Sequence, residues 1–208
     1  VNKENMQKLI NAIMFDGKTK FNMSVFIGKL NYERDEAYVF EHDELASQYS
    51  ASRVTSIAEG AKIFNCTSMG CIAGFATALA NDWKAPVWLS EDNHINHVQG
   101  FEHTSNEFLG LNYAEGKNIY FGDGNSIWKW LMAKEPERYP ELRLEEYGTI
   151  EAAEEENVDW WEDDVVIDFS TIDYITAVDV LTRIMNEEIG LCNEEGEPYY
   201  INKEVVSS

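Results

Sequence analysis

At 208 residues and 23.8 kDa the chain is of a size that one domain accommodates, so a single compact unit spanning 1–208 is the starting expectation. Sixteen Lys and Arg against 38 Asp and Glu leave a formal net charge of −22, while 44% hydrophobic and 12% aromatic residues supply material for a core. That balance excludes a non-specific nucleic-acid binder, which needs clustered cations against phosphate, and argues equally against docking on anionic lipid.

Met6, Leu9, Ile10, Ile13 and Met14 recur at helical spacing and Asp16-Gly17 punctuates them, which predicts an opening amphipathic helix. Phe21, Met23, Val25 and Ile27 then alternate with other residues up to Gly28, the pattern of a short strand. The similar string Ile63-Phe64-Asn65-Cys66 is its expected partner in a small β ribbon. Between them, Tyr32 to Ser52 is rich in charge and aromatics and leans towards helix.

From Ser68 the pattern sharpens. Thr67 or Ser68 can accept free amides at the start of a helix running through Cys71, Ile72, Phe75, Ala76 and Leu79 to about Asp82. Gly70, Gly74 and Ala78 fall four residues apart on one ridge, so another helix can approach closely, and the helix is expected to be central. Leu109-Gly110-Leu111 has the form of a helix stop with Gly110 left-handed, for a helix starting near His94 or Phe101. Ser170-Thr171-Ile172-Asp173 has the layout of a capping box ahead of Ile172, Ile175, Val178, Leu181 and Met185, with Gly190-Leu191 as a second left-handed stop. Pro198-Tyr199-Tyr200-Ile201 ends the chain as a terminal strand or an ordered tail. The expected fold is a mainly helical α+β domain, its central small-residue helix packed against the opening helix and the helix after Ile172, with a small β ribbon on one side.

The segment Phe64-Asn65-Cys66-Thr67-Ser68-Met69-Gly70-Cys71-Ile72-Ala73-Gly74-Phe75-Ala76 resembles a family of uncharacterised phage and bacterial proteins marked by Cys-x4-Cys-Ile-Ala-Gly-x-Ala at the start of a helix. The flanking Phe21 to Met23, Leu109 to Leu111 and Tyr120 to Gly122 follow the same order. This chain departs from the family in carrying Thr67 where Gly commonly follows the first Cys, and Phe75 where His or Trp is frequent. The resemblance implies a phage or phage-related origin and a fold, and it carries no activity.

Three chemistries compete for the distinctive residues. Cys71 lies in the first turn of an expected helix, where free amides and the dipole favour a thiolate, and His94, His97 and His103 follow it, so a papain-like hydrolase or transferase using Cys71, His94 and His97 is one alternative. A papain-like base usually stands on a strand well after the nucleophile helix, whereas these histidines stand close behind it. The competing reading, a core thiol alongside Ile72, Phe75 and Leu79, is preferred. Cys66, Cys71, His94 and His97 also approach a Cys2His2 zinc pattern, the histidines one residue closer than usual, so a zinc-stabilised binding module is a further alternative; otherwise no cofactor is expected. Asp123-Gly124-Asn125 lacks the further ligands of a calcium loop and is expected to be a turn, with Trp128 and Trp130 as core or rim aromatics.

Acidity is the remaining feature. Leu144 to Thr182 holds thirteen acidic residues and no Lys or Arg. A partly ordered acidic segment is expected at about 144–168, anchored by its aromatic and aliphatic residues, and Glu154, Glu155, Glu156, Trp160, Trp161, Glu162, Asp163 and Asp164 are the candidate interaction surface. Duplex DNA carries one charge per roughly 1.7 Å of axis, so a charge of −22 matches about 37 Å of duplex, close to the ~40 Å breadth of a globule of this length. A non-enzymatic phage accessory protein that engages a host protein through its acidic surface, with DNA mimicry as one form of that engagement, is therefore the expected function. Direct contact with nucleic acid or membrane is not expected. No apolar run approaches the ~18 residues of a spanning helix, residues 1–11 lack the order of a secretory signal, and three cysteines do not make a disulfide framework. The expected location is cytoplasmic, in a host cell if the protein is phage-encoded.

Overall fold

The computed structural model describes residues 1–23, 28–31, 36–38, 68–84, 97–122, 124–161 and 165–201. Over these it is a mainly helical α+β fold, with seven helices and two small antiparallel sheets among the described residues.

Helix α1 (Lys3–Lys20) starts at Asn2, whose side chain accepts the Asn5 amide. Met6, Leu9, Ile10 and Ile13 form its buried stripe, as their spacing predicts, but Met14 is 55% exposed. The helix also runs past Gly17 instead of ending there. Gly17 is present for close packing: a Cβ at that position would sit 2.8 Å from the Tyr174 Cβ.

The first sheet has the order β2-β1-β3 and comprises β1 (Gly28–Asn31), β2 (Glu36–Tyr38) and β3 (Ser68–Met69). A small antiparallel ribbon is present, in which Gly28 pairs with Met69 and Lys29 with Ser68. Phe21 makes only an isolated parallel bridge with Gly70. Residues 24–27 and 63–66 lie outside the described residues. Glu36–Tyr38 is strand within the stretch expected to be helical, and residues 39–52 also lie outside.

Because Ser68 belongs to a strand, it does not cap the helix that follows. Helix α2 (Ile72–Ala80) starts instead from Cys71, whose side chain makes no capping bond. Every residue from Ile72 to Ala78 is buried, so the helix is central, as its small residues require. It packs against α1 and α3 (His97–Leu109). Its C-terminus puts Asp82 and Trp83 at φ of 50° and 62°, with the Trp83 amide donating to the Ala78 carbonyl at 2.6 Å and the indole edge-on to Phe75.

The stop after α3 is as expected: Gly110 has φ 65° and the Leu111 amide donates to the Asn106 carbonyl at 2.9 Å. Helix α4 (Tyr113–Tyr120) follows from a full capping box between Asn112 and Glu115. After a turn at Gly124 (φ 47°), α5 (Ile127–Lys134) buries Trp128, whose Nε1 donates to the Ile119 carbonyl at 2.8 Å. Helix α6 (Ile150–Glu155) is capped by Thr149.

Residues Phe169–Thr171 form a 3-10 turn, and α7 (Tyr174–Met185) starts from Asp173, whose carboxylate accepts the Thr176 amide. The expected start at Ile172 puts the stripe out of phase. Ala177, Val180, Leu181 and Ile184 face inward while Ile175 is 59% exposed, and α7 packs chiefly on α1, not on the central helix. Its left-handed stop is Glu187 (φ 58°), with the Glu188 amide on the Arg183 carbonyl. Gly190 is instead part of β4 (Ile189–Gly190), paired with β5 (Tyr199–Tyr200), and its hydrogen makes room for the Tyr199 ring, 2.2 Å from a would-be Cβ.

Candidate functional site

The acidic, tryptophan-bearing face is built on α6 and the chain that leaves it. Ala153 buries itself while Glu151, Glu154, Glu155 and Glu156 stand exposed, so the short helix is held by one side and presents carboxylates on the other. Asn157 at φ 60° turns the chain, with the Val158 amide on the Ala153 carbonyl. Trp160 and Trp161 follow, half-buried against the core and edge-to-face at 5.1 Å. The Asp159 carboxylate accepts the Trp161 amide at 3.1 Å. Glu162, Asp163 and Asp164 lie outside the described residues.

Where the chain is again described, it is tied down by backbone pairing. The Glu145 amide donates to the Val166 carbonyl at 3.0 Å, the Ile167 amide to Gly122 at 3.1 Å and the Asp168 amide to Arg143 at 2.8 Å. The parts of 144–168 that the structure describes are thus more regular than a solvated loop, because Val165 and Ile167 are buried and their flanking peptide groups are paired. Beneath this face lies Lys129 of α5, fully buried, its Nζ donating to the Val165 carbonyl at 2.9 Å and lying 5.7 Å from the Trp161 ring centroid.

Cys71 is 1% exposed. Burial pushes its thiol up to about 12 even though the backbone amides of Gly74, Ala73 and Cys71 itself pull the other way. Desolvation of the thiolate therefore outweighs the helix N-terminus, and the group is a neutral thiol at physiological pH. Cys66 and His94 lie outside the described residues; His97 opens α3 with its side chain also outside them. His103 faces solvent beside Glu107 at 3.6 Å. No group of three or more His, Cys, Asp or Glu placed to hold a metal occurs among the described residues.

Two polar clusters carry no recognisable sequence pattern. Between α3 and α4, Glu102 Oε1, Asn106 Oδ1 and Tyr120 Oη are buried without a hydrogen-bond partner among the described residues. Burial raises the Glu102 carboxyl, offset in part by Lys117, and burial likewise raises the Tyr120 hydroxyl. The nearby Ser105 hydroxyl donates its proton to the Glu102 carbonyl at 3.0 Å. Asn106 rests on Gly116, where a Cβ would lie 2.0 Å from Oδ1.

The second cluster joins α5, α7 and β5. Arg183 donates from both terminal nitrogens to Glu135 at 3.0 and 2.7 Å and also to Tyr139 Oη at 2.9 Å. Tyr139 donates to Asp179 at 2.6 Å and Tyr200 to Glu135 at 2.7 Å. Burial, together with its hydrogen bond to Asp179, pushes the Tyr139 hydroxyl up to about 12. Every charged group here has a counter-ion, the signature of a structural clasp. The i, i+4 spacing of Asp179 and Arg183 is legible in the sequence, but their partners at Glu135, Arg138 and Tyr139 come from a distant segment.

No helix among the described residues is long and apolar enough to cross a membrane. No protein-family model matches the chain, and no curated protein or solved structure matches it either.

Proposed function

We propose that the chain is a non-enzymatic accessory protein of phage type that engages a basic surface of a host protein through the acidic face of α6 and the Trp160-Trp161 pair. The observation that carries this reading is the exposed run Glu154, Glu155 and Glu156 beside two half-buried, mutually packed indoles, within thirty-nine residues that contain no Lys or Arg. Single-sign potential steers a partner of opposite charge, and a Trp pair held by the core offers contact area with little ordering entropy to lose. The neutral, buried thiol of Cys71 supports the same reading, since a cysteine nucleophile acts as the thiolate.

The test is capture of partners from host lysate by the full chain at low and high salt, beside the triple variant Glu154→Gln, Glu155→Gln, Glu156→Gln. The reading expects a protein retained at low salt, released as salt rises, and lost by the variant. Equal capture by the variant would overturn it. The net charge of −22 is large enough to match a short duplex, so DNA mimicry is one form this engagement can take. In that case the captured protein binds duplex DNA and the chain competes with the duplex for it.

A further inference from the structure

Lys129 is the one charged side chain among the described residues with no exposure at all. An ammonium taken out of water is strongly disfavoured unless its surroundings replace the lost hydration. Its neighbours on α5, Trp128 and Leu131, are apolar and equally buried, so a Met or Leu at 129 would suit the helix better on packing grounds alone. Two of the ammonium's contacts belong to the acidic face: it donates to the Val165 carbonyl at 2.9 Å and lies 5.7 Å from the Trp161 ring. Trp161 and Val165 both belong to the stretch from Leu144 to Thr182, which contains no basic residue.

We infer that Lys129 is the positioning residue of the interaction face, an internal cation that holds Trp161 and Val165 at a set separation and so fixes how the indole pair is presented. A carbonyl oxygen and the face of an indole both attract positive charge, so one ammonium joins them where an apolar side chain of the same length only fills space. The inference rests on the reading that this face binds a basic partner.

Lys129→Met tests it, with the full chain and octalysine as the probe. The Trp161 indole resonance in a nitrogen-proton correlation spectrum, assigned by its loss in Trp161→Phe, reports the positioning. Octalysine affinity reports the face. The expectation is an unchanged far-UV spectrum and urea midpoint, a shifted Trp161 indole signal with at least a twofold rise in its quenching by acrylamide, and octalysine affinity lowered at least threefold. Because methionine removes a positive charge, a diffuse attraction to the acidic protein would strengthen, so a fall in affinity identifies geometry as the cause. Lys129→Arg, which keeps the charge, is expected to return affinity to within twofold. An unmoved Trp161 signal in Lys129→Met overturns the inference. A moved signal with unchanged octalysine affinity overturns the binding reading and leaves Lys129 as the anchor of the segment. If Lys129→Met does not fold, Lys129→Gln, a neutral donor to the Val165 carbonyl, carries the same comparison. Failure of both to fold also overturns the inference, because Lys129 would then serve the whole fold and not this face.

Discussion

Replacing Arg183 by methionine takes away the bidentate partner of Glu135 while filling most of the same volume. Both groups are largely withdrawn from water, the side chains being 8% and 16% exposed. Removing one member of a buried pair strands the other, which typically costs about 3–5 kcal/mol. Glu135 keeps the Tyr200 hydroxyl at 2.7 Å and the more distant Arg138 at 3.9 Å, so the lower end, about 3 kcal/mol, is expected here. For a chain of this length that corresponds to a fall in Tm of about 6–12 °C.

The pH dependence identifies the mechanism. Burial raises the Glu135 carboxyl, but hydrogen bonds from Arg183 and Tyr200 and the charges of Arg183 and Arg138 more than reverse this, and its folded value lies below the ordinary 4.5. The pair's stabilisation is therefore present above pH 4.5 and is lost as pH falls through the lower folded value. In Arg183→Met the strongest opposing partner is gone, burial prevails, and the variant loses less on acidification than the parent. Urea titrations followed by far-UV circular dichroism between pH 3.5 and 7 would check both points, and adding Glu135→Leu to Arg183→Met should recover most of the lost stability. A variant as stable as the parent at pH 7, or one with the same acid slope, would refute the reasoning.

Packing and backbone geometry lead to three further expectations. Gly17→Val puts a branched side chain where even a Cβ lies 2.8 Å from Tyr174, so a loss of about 1–3 kcal/mol is expected from the urea midpoint despite the better helix propensity; a gain would show that α1 and α7 separate easily. Gly110→Ala forces a methyl group into φ 65° and within 3.0 Å of the Asn2 amide nitrogen, and a loss of at least about 1 kcal/mol by thermal melting is the expected result; an unchanged Tm would mean that the turn relaxes out of the left-handed region. Cys71 should resist iodoacetamide at pH 7.5 in the native protein and react once urea unfolds it, as followed by peptide mapping, whereas rapid native alkylation at Cys71 would restore the nucleophile reading.

Helix existence was legible in the sequence for α1, α2, α3 and α7, whereas α4, α5 and α6, of eight, eight and six residues, are too short to show a periodic stripe. Met6, Leu9, Ile10 and Ile13 announce α1, the small residues after Cys71 announce a central helix, and Leu109-Gly110-Leu111 announces a stop, because each depends on residues within two turns of one another. The candidate face was legible in the same way: a charge run beside paired tryptophans is a local pattern, and its exposed glutamates and packed indoles are found on α6 and just beyond it.

Termini and phases were decided elsewhere. Ser68 is chemically suited to cap a helix, yet pairing with Lys29, thirty-nine residues earlier, claims it for a strand and passes the cap position to Cys71. Gly17 and Gly190 both look like punctuation, but the first is small because Tyr174 packs on it and the second because the Tyr199 ring crosses it. The stop that Gly190 was expected to make falls at Glu187, where the hydrogen bonds to Ile184 and Arg183 offset the left-handed strain. Helix α7 carries apolar residues on two faces, and the choice between Ile175 and Ala177 as the inner one belongs to the surface of α1. Lys129 is the extreme case: nothing in Trp128-Lys129-Trp130 signals a buried cation, because two of its contacts, Trp161 and the Val165 carbonyl, arrive from more than thirty residues away. Local chemistry thus determined that the four helices α1, α2, α3 and α7 exist and where the acid lies, and long-range contact determined which end, which face and which counter-charge, since those quantities depend on partners that only folding brings into reach.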